Sequence, residues 1–140
     1  MGCLALPLLA ALTLASDASP ATSYAFKTPS GNIGCIYEPP FQGTTAYLRC
    51  DIHSGLKNPA VHKPKNCDLD YGDSLEVSNR GRTIVVCHGD TAFDPHAHVL
   101  AYGTTLVRPG FKCVSQTTGL RCTNTVGHGF FLSRERWQAF

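Results

Sequence analysis

The densest group of side chains able to hold a metal or move a proton lies in "CHGDTAFDPHAH", residues 87–98. His96 and His98 are two apart, so on a strand they share a face. His88, Asp90 and Asp94 stand close enough in sequence to complete a shell. Such a set suits zinc or copper and, with a bound water, metal-assisted hydrolysis. The same segment also reads as an ordinary polar loop, because Asp94–Pro95 starts turns and "GDT" supplies side chains that cap them. Ligand types without fixed distances do not define a site, and the polar loop is the simpler reading.

A second stretch, "TVGHGFFLSR" at 125–134, holds a histidine between two glycines with a serine further on. Catalysis would require His128 to reach a nucleophile, but Ser133 lies five residues away along extended backbone. Gly127, His128 and Gly129 instead suit a three-residue hairpin connection in which glycine takes the positive-φ position. "CDLDYGDSLE" places Asp68, Asp70, Asp73 and Glu76 near one another. Its glycine is fifth rather than sixth, which departs from a calcium loop. "VHKPKNC" would present Lys63 or Lys65 between prolines, as an inhibitor's reactive loop does, although prolines and lysines also furnish any surface loop. There is no G-x-S-x-G and no H-E-x-x-H, and no motif calls for a cofactor.

Seven cysteines occur, and Cys3 precedes an apolar run at residues 4–15. That run has the length of a signal-peptide core and is too short to span a bilayer. Small residues follow, so cleavage is expected after Ala18, with Ala25 as the later alternative. No Lys or Arg precedes the run, which is unusual for such a leader. Six cysteines then remain, without the close pairs of a zinc site. An even count in an exported chain reads as disulfides. Six cysteines allow 15 pairings; loop closure favours neighbours, giving Cys35–Cys50, Cys67–Cys87 and Cys113–Cys122.

Twelve Lys and Arg are scattered among ten Asp and Glu, so nucleic acid is not an implied partner. No second apolar segment is long enough to cross a membrane. From residue 24 the pattern is of short strands broken by Gly, Pro, Asn and Asp. "TIVVC" suits a central strand buried on both faces. "YLRC" and "GLRC" each direct Leu and Cys to one face and Arg to the other. They end two similar Gly–strand–Cys–turn–Leu–Arg–Cys units, a weak internal echo. The only helix candidate is a single turn near "SRERWQ", and residues 53–67 read as a long surface loop. The expectation is a signal peptide over 1–18 and one all-β domain over 24–140, a small antiparallel sandwich or barrel stapled by disulfides.

The pieces "FKTPSGNIGC", "LRCDI", "CDLDYGDS", "CHGDT", "LAYG", "CVSQTTGLRCTN" and "GHGFFLSR" run in order from Phe26 to Arg134. In them the chain resembles a bacterial family of small secreted proteins of unknown function, DUF6636. Tyr71 stands where the family pattern leads one to expect Trp. The resemblance implies an exported, disulfide-containing β domain of the cell envelope or medium, and lends no catalytic or binding residues. The combined reading is a non-enzymatic domain that binds a protein or envelope glycan through the loops at 53–66 and 88–98 and the tip at 127–129. The alternatives are a metal-binding protein or metal-dependent hydrolase built on His88, Asp90, His96 and His98, and an inhibitor of a secreted hydrolase.

Overall fold

A computed structural model describes residues 1–2 and 21–140. The apolar run and the earlier cleavage position lie outside the described residues. Eleven strands are formed: β1 Tyr24–Lys27, β2 Ile33–Glu38, β3 Tyr47–Ile52, β4 Ser74–Ser78, β5 Ile84–Val85, β6 His98–Val99, β7 Thr105–Arg108, β8 Phe111–Gln116, β9 Gly119–Asn124, β10 Gly129–Leu132 and β11 Trp137–Ala139. They make a six-stranded sheet ordered β5-β4-β3-β2-β1-β6 and a five-stranded sheet ordered β11-β10-β9-β8-β7. The fold is all-β. Cleavage after Ala25 would cut within β1, whose Ala25 pairs with Ile36.

Alternation builds the sandwich. In β8 and β9, Phe111, Cys113, Ser115, Leu120, Cys122 and Asn124 point inward, while Lys112, Gln116 and Arg121 face solvent. Phe26, Tyr37, Leu48, Leu75 and Val77 of the larger sheet join Phe111, Leu120, Phe130 and Leu132 of the smaller one in a single core. Tyr37 meets Phe111 edge to face across it. The sheets are also tied at one end: the buried Asn124 amide donates to the carbonyls of Ser78 and Gly81, both at 2.9 Å.

Disulfides join Cys35 to Cys50, Cys67 to Cys87 and Cys113 to Cys122. The first and third link directly opposed residues of adjacent strands, with Cα atoms 4.1 Å apart in each. That spacing suits the closer, non-hydrogen-bonded type of antiparallel pair. The two Leu–Arg–Cys units are thus the second strands of two hairpins, each clipped by its own bridge.

Three expectations are corrected. "TIVVC" contributes only β5, at the edge of the larger sheet, where Ile84 is 55% exposed. Its β-branched residues pair with β4 on one side and have no strand on the other. "SRERWQ" forms a tight turn, because the Ser133 amide donates to the Arg136 carbonyl and the Arg136 amide to the Ser133 hydroxyl. The chain then continues as β11. One pairing, β1 with β6, is parallel.

Candidate functional site

His88 and Asp90, the first half of the expected metal cluster, are committed to a polar network on the outer face of the larger sheet. Arg49 lies in β3 between Leu48 and Cys50, both turned to the core, so its side chain must leave by the other face. That face is covered by residues 88–93, and Arg49 is only 8% exposed and Asp51 2%. Arg49 Nε and a terminal nitrogen donate to the two Asp51 carboxylate oxygens at 2.9 and 3.1 Å. Its other terminal nitrogen donates to Asp90 at 2.7 Å. The Ala92 amide and Thr91 hydroxyl complete the Asp51 shell at 2.7 and 3.2 Å. Phe93 then lies flat on Gly34 and stacks on His53, ring centroids 3.7 Å apart.

Burial alone would raise the Asp51 pKa. Hydrogen bonds from Arg49, Ser74 and the Ala92 amide, with the Arg49 charge, outweigh it and hold the carboxyl below its ordinary value. Asp90 is also lowered, by its hydrogen bond and attraction to Arg49. His88 is buried, which disfavours its charge, yet its pKa is raised by Asp73 and the Asp90 carbonyl. Its Nε2–H donates to Asp73 at 2.7 Å and its Nδ1–H to the Asp90 carbonyl at 2.6 Å. Both partners can accept, so they favour the doubly protonated ring, the form with no lone pair to give a metal.

His96 and His98 do not share a strand face. His96 sits in the turn opened by Asp94, whose carboxylate accepts its amide at 2.8 Å. Only His98 is in β6, with its ring stacked on Tyr24. Among the described residues, no group of three or more His, Cys, Asp or Glu is placed to hold a metal ion. Lys63 and Lys65 are exposed, but their loop is pinned: Leu56 is in the core, and the Trp137 indole donates to the Pro59 carbonyl.

The hairpin at 125–129 is organised by Asn124. Its side-chain oxygen accepts the backbone amides of Val126 and His128 at 3.1 and 2.9 Å, and its backbone N–H donates to the His128 carbonyl. The connection between β9 and β10 is therefore the four residues Thr125–His128, starting two positions earlier than expected. Gly127 has φ 88°, whereas Gly129 is the first residue of β10. At Gly129 a Cβ would be driven into the Cys122 carbonyl.

A cleft with polar walls lies elsewhere, where turns of both sheets meet. The β1–β2 turn brings Ser30 and Asn32, the β8–β9 turn Thr117 and Thr118, and the β10–β11 turn Arg134 and Glu135. Together they line a cleft of about 270 Å³. Tyr102, 42% exposed in the β6–β7 connection, borders it. A shallower hollow shares Tyr102, Gln116, Thr117 and Thr118 with it, and the two together make a groove. Tight turns fix each contributor: Gln116 pairs with Gly119 across a two-residue loop, and the Gly31 amide donates to the Thr28 carbonyl. Arg134 and Glu135 project from the Ser133–Arg136 turn. None of the three loop regions expected to bind a partner lines this groove.

The model of a family of unknown function, DUF6636, matches residues 5–140. The chain belongs to DUF6636. No curated protein and no solved structure matches it. This DUF6636 chain therefore shows which of its family-like segments build structure: "LRCDI" and "CHGDT" meet in the Arg49 network, and "CVSQTTGLRC" supplies one wall of the groove.

Sequence reasoning missed the groove because its residues lie on four turns far apart in the chain. Each is a common turn residue taken singly. The exposed tyrosine of "LAYG" was the one local signal.

Proposed function

We propose that the protein is a secreted, non-enzymatic binding domain whose ligand is an envelope glycan seated in the groove beside Tyr102. One observation carries this reading: an exposed tyrosine ring borders a polar cleft that offers hydroxyl, amide, guanidinium and carboxylate groups from short, fixed turns. A sugar presents the complementary surfaces, an apolar ring face and a rim of hydroxyls that both donate and accept. Sites on rigid turns lose little conformational entropy on binding. Glu135 is the one carboxylate in the lining, whereas hydrolysis of a glycosidic bond ordinarily employs two. Secretion is supported by the apolar run at 4–15 and by three disulfides, which fit an oxidising compartment.

Depletion of the oxidised chain from solution by insoluble peptidoglycan, chitin and cellulose tests the reading. Binding to at least one is expected, with Tyr102→Ala weakening it about tenfold, or about 1.4 kcal/mol. Undiminished binding by that variant would remove the groove from the interaction. Failure of all three polymers to deplete the chain would count against a glycan ligand.

A further inference from the structure

The outer face of the five-stranded sheet carries charge of one sign. None of the residues in β7–β11 is Asp or Glu, and this face carries Lys112 and Arg121, with Arg136 from the adjoining turn, whereas Arg108 stands opposite Phe111 on the inner face with its guanidinium over Tyr24. The cations are ordered by aromatic rings. Across the strands, Gln138, Phe131, Arg121, Val114 and Thr105 form one row. The guanidinium of Arg136 lies 4.4 Å from the centroid of Phe131, and that of Arg121 lies 4.0 Å from the centroid of Phe140. Phe131 packs over Gly119, where a Cβ would meet the ring, so the aromatic lies flat on the sheet.

A guanidinium with one plane stacked on a ring keeps its edge free, and that edge matches a carboxylate bidentately. The face is also continuous with the groove. Gln116 and Gly119 belong to both, and the turn that sends Arg134 into the cleft places Arg136 on Phe131. Cations held in place on aromatic rings fit a polymer that bears carboxylates at intervals.

We infer that the ligand is an anionic, uronate-type polysaccharide whose chain passes from the groove across Arg121 and Arg136. This rests on the glycan reading of the groove and adds the charge of the ligand and its path.

The test is titration calorimetry of the oxidised chain with polygalacturonate and with its fully methyl-esterified form, at low and moderate salt. Polygalacturonate is expected to bind, the ester at least tenfold more weakly, with affinity falling as salt rises. An Arg121→Gln, Arg136→Gln double variant should lose tenfold or more for the acid form while keeping the parent's near-UV circular dichroism. If that variant does not fold, single Arg121→Gln and Arg136→Gln variants should each lose threefold or more. Equal binding of acid and ester would overturn the inference while leaving the groove reading intact. Binding lost in the arginine variants but unchanged in Tyr102→Ala would uphold the charged path and remove the groove. Absence of binding by polygalacturonate, or sedimentation with phosphatidylserine vesicles in its place, would overturn the inference.

Discussion

Arg49 and Asp51 stand two apart on β3 and meet over its outer face, Nε to Oδ1 at 2.9 Å, beneath the loop that Asp90 and Ala92 fasten over them. The pair is nearly dry, so each charge depends on the other. A partner removed leaves an uncompensated buried charge, which costs more than the intact pair contributes.

Arg49→Met is accordingly expected to destabilise the fold by about 3–5 kcal/mol. An Arg49→Met, Asp51→Leu double variant should lose markedly less than the two single changes summed. Urea denaturation of the four proteins closes the cycle, and strict additivity would show that the two charges do not depend on each other.

Opposite shifts bound the pH range of stability. Despite burial, Asp73 and the Asp90 carbonyl raise the His88 pKa. Its contribution is complete below an unfolded value of about 6.5 and is lost as pH rises through the folded value. Despite burial, Arg49 and its neighbours lower that of Asp51. That contribution is present above about 3.9 and is lost as pH falls through the folded value. Through these two groups denaturation midpoints should fall below about pH 4 and above about pH 6.5, while Glu76, whose pKa burial raises, adds a loss as pH rises through the carboxylate range. His88→Gln should weaken the decline that begins above about pH 6.5 and spare the acid one.

Gly127 and Gly129 answer to different constraints. Gly127→Ala meets open space at φ 88° and should cost about 1 kcal/mol. Gly129→Ala forces a methyl into the Cys122 carbonyl and should cost more than about 3 kcal/mol. Thermal unfolding of the two variants distinguishes them, and equal losses would show that both glycines serve the turn alone.

The Cys67–Cys87 bridge spans 20 residues and Cys113–Cys122 spans 9. On loop entropy, removal of the first should cost about 3 kcal/mol and of the second about 2.5. Cys113 and Cys122 are also core side chains. Replacement of that pair by Ser should therefore prove the more damaging, and by Val nearly as mild as entropy alone predicts. Denaturant titration of the paired variants reads this out.

Much of the fold was legible because strand alternation and turn residues act locally. The hairpins of β2–β3 and β8–β9 announce themselves through Leu–Arg–Cys and flanking glycines. Arg49 and Arg121 mark the limit of such reading. They occupy the same place in two like hairpins, yet one is buried because a distant loop covers it and the other stays in solvent over Phe140. "TIVVC" failed for the same reason, since β-branching favours a strand without saying how many neighbours it acquires. His88 was visible as a chemical group, but its partners Asp73 and Asp90, which favour its protonated form, were not. The groove was invisible because only the turn geometry assembles it.

Each cysteine after Cys3 bonds to the one beside it in sequence, first to second, third to fourth and fifth to sixth. Oxidation that joined each thiol to its neighbour in chain order would make this set directly, with no bridge to exchange.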